Sequence, residues 1–245
     1  MTAEDTLARR AEGIVRYAAE LDGEPALLEV NSSLRPDSRL RLLWVARLAL
    51  EQPPPDQLIC ETDEPRLSAA AAEFSELIEG RARYAGRSLV PGSCTFFAYS
   101  ASEPPLEGKQ SSLQLTVKDD RNWEHFQKVL YPNSLAWAYI DTMQIRHLLR
   151  EKGDDHDLVR RINHSAVFKM KGEAERFGKW IATQEYALEG VDRGEGKSWE
   201  VTFSEERNLS LPEIHDHVYR SVRLTEEFGG RYDGWGCMVT HGRGG

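Results

Sequence analysis

Cysteine is scarce in this sequence and follows no recognisable pattern. The three cysteines, Cys60, Cys94 and Cys237, are far apart and include no C-x-x-C pair. Structural zinc sites and disulfide-stapled domains both depend on paired or closely spaced cysteines. We therefore expect free, buried thiols, without a disulfide framework or a cysteine-ligated metal.

Long apolar segments and an excess of basic residues are also missing. No apolar run approaches the about 18 residues that suggest a membrane span. Residues 1–20 carry charges in place of the apolar core of a signal peptide. These absences predict a cytoplasmic protein without a membrane partner. The formal net charge of -9 argues against direct nucleic-acid binding and fits either simple solubility or docking on a basic partner.

Motifs of common catalytic and metal sites are absent as well. The sequence contains no Gly-x-Ser-x-Gly and no His-Glu-x-x-His. Gly190–Gly196 precedes a strand pattern and not the helix that follows a phosphate-binding loop, so it predicts a hairpin connection. His215 and His217 flank Asp216, but residues two apart on a helix point in different directions. We interpret both histidines as solvated and predict a non-enzymatic protein without metal or cofactor.

What is present is ordinary globular material of 245 residues, 40% hydrophobic and 29% charged, enough for one large or two medium domains. Residues 1–153 predict an α+β domain that ends in a helical bridge. Hydrophobic periodicity and turn residues indicate one long helix at 63–80. The predicted strands are 13–20, 25–31, 40–50, 83–90, 93–100 and 111–117.

Residues 154–245 predict a second α/β sandwich, separated from the first at Gly153-Asp154-Asp155. The predicted order is strand 160–169, helix 172–184, strand 186–192, strand 197–204, helix 210–228 and strand 233–240. This βαββαβ order is that of the ferredoxin-like fold, in which both helices cover one face of an antiparallel sheet. The other face remains available to a partner.

The end of the last helix carries the most distinctive residues. Gly229 or Gly230 can adopt the left-handed conformation that ends a helix. Tyr232-Asp233-Gly234-Trp235 then predicts a turn in which Asp233 accepts hydrogen bonds from backbone N–H groups. Trp235 is expected in the core, and the alternative is an exposed recognition pair formed with Tyr232.

This stretch resembles the C-terminal signature of the regulator of ribonuclease E activity B (RraB-like) family. In that family a helix ends in a Gly-Gly element, and a Tyr-Asp-Gly-Trp turn leads into the last strand. The resemblance covers about residues 154–241 and includes the strand Arg161–Phe168 with His164, and the pair Arg176-Phe177. The first half is similar to an uncharacterised domain often fused ahead of RraB-like domains.

The resemblance implies a ferredoxin-like fold and a protein that binds and restrains ribonuclease E, the endoribonuclease that starts messenger RNA decay, without an active site of its own. Two alternatives remain open. The chain could be an immunity or adaptor protein of another pathway, or it could bind a small ligand in a cleft between its domains. A conceivable partner of His164 in a catalytic site is Asp233, although a structural hydrogen bond is the expected role of that histidine. The candidate residues are Tyr232, Asp233, Gly234, Trp235 and His164.

Overall fold

The chain divides into two compact units. A computed structural model describes residues 13–105 and 111–242. One unit ends at Pro132 and the other begins at Asn133. The first unit contains a six-stranded sheet and the second a four-stranded sheet, each accompanied by helices. The predicted α+β class is therefore confirmed. The expectation for residues 1–12 lies outside the described residues.

The first unit is an antiparallel sheet with one long helix. Its sheet order is β1-β2-β4-β5-β3-β6, and all neighbours are antiparallel. The elements are β1 (Ile14–Leu21), β2 (Glu24–Asn31), β3 (Leu42–Ala49), α1 (Glu64–Ile78), β4 (Ala82–Val90), β5 (Ser93–Ser100) and β6 (Gln114–Asp119).

Local sequence signals explain the turn between β1 and β2 and the helix α1. Asp22 and Gly23 join β1 to β2 with φ of 53° and 85°, the left-handed conformation that a two-residue hairpin requires. Helix α1 has a proline in its first turn and buries Ala70, Phe74 and Ile78. The ring of Phe74 stacks on Phe96 of β5 with centroids 5.4 Å apart. One face of the sheet is thus covered by α1, as the sequence predicts.

The second unit has the strand order of a ferredoxin-like fold. Its sheet runs β10-β7-β9-β8, with every neighbouring pair antiparallel, so that β7 and β8 flank β9. This arrangement confirms the predicted βαββαβ domain. The elements are α2 (Ser134–Glu151), β7 (Arg160–Phe168), α3 (Lys171–Ile181), β8 (Ala187–Arg193), β9 (Trp199–Arg207), α4 (Leu211–Glu227) and β10 (Arg231–Cys237).

The core of the second unit lies between one face of this sheet and the apolar sides of its helices. Apolar residues of α3 and α4 recur at three- and four-residue spacing, which places them on one side of each helix. The opposite sides of both helices are polar. Within the described part of the chain, no helix is long and apolar enough to cross a membrane. The buried side chains include Ala174, Phe177, Ile181, Ile214, Val218, Val222, Ile162, Ala166, Phe168, Val201 and Phe203.

The position of α2 corrects the predicted domain boundary. The sequence predicts this helix as part of a bridge that ends the first domain at Gly153, but the helix packs against α4 and β10 of the second unit. Leu149 belongs to the core of the second unit, and Thr142 accepts a hydrogen bond of 2.9 Å from Trp235 Nε1. The apolar periodicity of α2 predicts a buried side but does not say which core buries it. The division therefore falls before Asn133.

All three cysteines are free thiols, as expected. The expected burial is correct for Cys94 but wrong for Cys60 and Cys237, which are partly exposed. Burial raises the pKa of the Cys94 thiol to about 12, so this sulfur remains protonated at neutral pH. Its environment is that of a small apolar side chain rather than a reactive nucleophile.

Expression of two fragments tests the corrected boundary. We expect residues 133–245 to melt cooperatively, and residues 154–245, which lack α2, to melt at a lower temperature or not to fold. Removing α2 exposes Trp235 and leaves its indole N–H without Thr142, and each 1 kcal/mol lost lowers Tm by about 4–8 °C in a domain of this size. The measurement is thermal unfolding followed by circular dichroism. Equal Tm values for the two fragments would contradict this division.

Candidate functional site

The two glycines after α4 end the helix through a well-defined capping motif. Gly229 has φ of 83°, as expected for one of this pair. Its N–H bonds to Glu226 O at 2.9 Å, and the N–H of Gly230 bonds to Thr225 O at 2.9 Å. These two bonds form a Schellman motif, which turns the chain directly into β10.

Tyr232-Asp233-Gly234-Trp235 lies within strand β10 and not in a turn, so this part of the prediction is wrong. The ladder with β7 shifts register between Tyr232 and Gly234, which makes Asp233 the extra residue of a β-bulge. Asp233 Oδ1 lies 2.6 Å from a guanidinium nitrogen of Arg231. Asp-Gly sequences suit bulges as well as turns, because glycine accepts the positive φ, here 118° at Gly234. The sequence alone does not separate the two.

The bulge brings Tyr232 and Trp235 to the same side of the sheet. In a regular strand, residues three apart point to opposite faces. Here the extra residue places both side chains on the inner face. Tyr232 stands opposite Ala166 and Trp235 opposite His164. The side chains are 7% and 8% exposed, so both rings lie in the core and not on a recognition surface.

His164 is the centre of a buried polar cluster. Its Nδ1 lies 2.8 Å from Tyr232 Oη, and its Nε2 lies 3.7 Å from Glu205 Oε1 on β9. The imidazole of His217 on α4 packs beside it, with ring centroids 4.4 Å apart, and His217 Nδ1 is in close contact with Glu205 Oε1. We call His164, Glu205, His217 and Tyr232 the buried cluster. Asp233 is not the partner of His164.

Burial dominates the electrostatics of the buried cluster. It lowers the pKa of His164 well below its ordinary value and lowers the pKa of His217 to about 3, with Arg207 and Arg220 acting in the same direction. Burial also raises the pKa of the Glu205 carboxyl, against the opposing effect of Arg207, whose Nε lies 2.5 Å from Glu205 Oε2. Both imidazoles are therefore neutral at pH 7.

His217 and Glu205 were missed because each was interpreted from its neighbours in sequence. His215 is exposed, as predicted, but His217 is 0% exposed, so the prediction that both histidines are solvated is wrong for His217. Glu205 is not among the candidate residues, because the adjacent pair Glu205-Glu206 is typical of a solvated acidic run. Two sequence patterns could have indicated that these side chains are buried. His217 lies three residues after Ile214 and so on the same side of α4, and Glu205 lies two residues after Phe203 and so on the same face of β9.

An open groove borders the cluster at the C-terminal end of β9. Its volume is about 670 Å³, and five of the residues that line it are glutamates while two are arginines. We call it the acidic groove. Its lining is completed by small and polar side chains. The residues are Val159, Arg161, Glu185, Ala187, Glu189, Ser204, Glu205, Glu206, Arg207, Asn208 and Glu213.

The glutamates of the acidic groove differ in their partners. Glu189 sits at a β-bulge of β8 and pairs with Arg161, while Glu213 pairs with Arg207 at 3.1 Å. Glu185 and Glu206 are exposed, and neither has an ion pair with another residue in the described ranges. These two carboxylates are therefore available to basic groups of a partner.

The second unit matches a known family. The family model described as "Regulator of ribonuclease activity B" matches residues 140–237, which confirms the resemblance for this half of the chain. The match begins inside α2 and ends at the last residue of β10, so it includes the larger part of the helix that the sequence-based boundary excluded. It supports a regulatory, protein-binding role for this unit. No curated protein matches the chain.

Truncation of Trp235 tests its role in the core. We expect Trp235→Ala to lower the free energy of unfolding by about 3 kcal/mol or more, because it leaves a large cavity and removes the partner of Thr142. Trp235→Phe should cost less. Denaturant titration of the full chain measures both. Near-normal stability of Trp235→Ala would contradict the packed position of the ring.

Two glycines of one segment offer a matched test of close packing. A Cβ on Gly230 would lie 2.3 Å from a ring carbon of Phe168, whereas a Cβ on Gly236 would meet no atom within 4 Å. We expect Gly230→Ala to destabilise the protein by about 1–3 kcal/mol through overpacking and Gly236→Ala to have little effect. Thermal melts of both variants decide this, and equal shifts in Tm would refute it.

Proposed function

We propose that this chain is a cytoplasmic, non-enzymatic regulator that binds a ribonuclease and restrains it, and that ribonuclease E is its partner. The observation that carries this proposal is the match of residues 140–237 to the regulator family. The geometry of the same unit supports it, because α2, α3 and α4 leave one side of the sheet and the acidic groove accessible to a protein partner.

The acidic groove favours a basic segment as the bound element. Exposed carboxylates of one sign raise the association rate of an oppositely charged partner and help to exclude others. The protein as a whole carries a formal net charge of -9, which adds to this steering. Glu185 and Glu206 can each accept a lysine or arginine without first giving up an internal ion pair.

The burial of the two histidines supports binding rather than chemistry. His164 and His217 are 2% and 0% exposed, so a substrate in the acidic groove does not reach either imidazole. A general base must come within hydrogen-bond distance of the proton that it removes. In this arrangement the histidines serve the interior of the unit, and the groove presents only carboxylates, guanidinium groups and neutral side chains.

Direct binding tests the proposal. Immobilised full-length protein should capture ribonuclease E at low ionic strength, and the captured fraction should fall as salt screens the exposed charges. A parallel assay should show slower cleavage of a model RNA when the protein is added. Failure to capture ribonuclease E at low salt, together with unchanged cleavage, would refute the proposed partner.

Charge reversal in the acidic groove locates the docking surface. We expect Glu185→Lys combined with Glu206→Lys to weaken binding at least tenfold, because the two unpaired carboxylates become repulsive to a basic segment. The control is Glu226→Lys combined with Glu227→Lys, with the same change in net charge. Those residues lie at the far end of α4, about 20 Å from Glu213 at 1.5 Å per residue. Equal loss of binding in both double variants would show only a net-charge effect and contradict the groove as the docking surface.

A further inference from the structure

The buried cluster leaves several polar atoms without hydrogen bonds in the interior of the second unit. Within the described part of the chain, no hydrogen bond is made by His164 Nε2, His217 Nδ1 or Glu205 Oε1, although the last two atoms are in close contact with each other. Buried polar atoms are almost always satisfied, and each unsatisfied one calls for an explanation such as an ion. These three atoms come from three different elements, β7, α4 and β9, and they converge on one point.

We propose that His164, His217 and Glu205 form a divalent metal site that binds Zn²⁺. One ligand atom from each residue lies within 4.8 Å of the others, close enough for a single ion to be coordinated by all three after small side-chain movements. Two imidazole nitrogens and one carboxylate oxygen are ligands that zinc accepts at about 2.0–2.2 Å. This donor set leaves the fourth tetrahedral position for a water molecule.

The surroundings of two of the three ligands, His164 and Glu205, already orient them toward that point. Tyr232 Oη lies 2.8 Å from His164 Nδ1, so the Nδ1–H can donate to the phenol while Nε2 keeps its lone pair for the ion. The other carboxylate oxygen of Glu205 accepts a hydrogen bond from Arg207 Nε at 2.5 Å. Hydrogen bonds of this kind fix the tautomer and the direction of metal ligands.

The expected role of the ion is to tie α4 to the sheet. His164 and Glu205 stand on the two central strands and His217 on the helix that packs over them, so coordination joins elements that are far apart in sequence. Because the ligands are assembled only in the folded unit, the affinity for zinc adds to its stability. The site is independent of the proposed partner, and either can fail without the other.

A second cluster of possible ligands provides an internal control. Glu51, Cys60 and Asp63 of the first unit also hold one ligand atom each within 4.8 Å. There, however, the Asp63 carboxylate already accepts the N–H of Glu51 at 2.8 Å and pairs with Arg66. Its oxygens are satisfied, so nothing in that cluster calls for an ion.

Metal analysis of the full-length protein tests the zinc site. Protein produced with added zinc and freed of unbound metal should contain about one equivalent of Zn²⁺ by elemental analysis. Removal of the zinc with a chelator should lower Tm by about 10 °C. The reference is the same protein in a zinc concentration about a hundredfold above Kd. His217→Gln and Glu205→Gln should lose the zinc, whereas His215→Gln, two residues away on the exposed side of α4, and Cys60→Ser should retain it.

Cobalt substitution keeps the test decisive if the buried variants do not fold. The wild-type protein loaded with Co²⁺ should show the d–d absorption of a four- or five-coordinate site without a thiolate-to-metal charge-transfer band. A thiolate band, lost in Cys60→Ser, would place the metal at the other cluster and overturn the proposal. Wild-type protein that contains no zinc and shows no change in Tm with zinc would overturn it equally.

Discussion

The alternation of side chains along β7 is the constraint on which the second unit depends. Successive residues of a strand point to opposite faces, so Ile162, His164 and Ala166 enter the interior while Arg161 and Ser165 remain on the open face. The apolar residues that point inward form the core with α3 and α4. His164, on the same inner face, packs beside Glu205 and His217. A shift of one residue in the pairing with β9 or β10 would exchange the two faces and abolish both the core and the buried cluster.

The core, the buried cluster and the acidic groove are joined through one guanidinium group. Arg207 holds the Glu205 carboxylate inside the unit and reaches Glu213 at the rim of the groove. Glu205 therefore belongs to both sites, because it lines the groove and also contacts His164 and His217.

Patterns within single elements predicted most of the architecture. The alternation of β7 and the amphipathic sides of α3 and α4 were sufficient for the order of the second unit, and the glycines after α4 for its capping. Patterns within a single element do not show which elements pack against one another. The apolar side of α2 does not reveal its partner, and the argument that His215 and His217 point apart is correct for the helix but silent about Glu205 on a neighbouring strand. Asp233 shows a third reason, since one dipeptide suits both a turn and a bulge.

The bulge at Glu189 has a consequence for how this protein behaves at high concentration. β8 is the outer strand at its end of the four-stranded sheet, and a straight outer strand presents unpaired backbone groups on which another chain can add a strand. The register shift between Leu188 and Gly190 interrupts that row, and the Glu189 carboxylate stands at the interruption. The same residue that contributes to the rim of the groove therefore protects the edge of the sheet against aggregation.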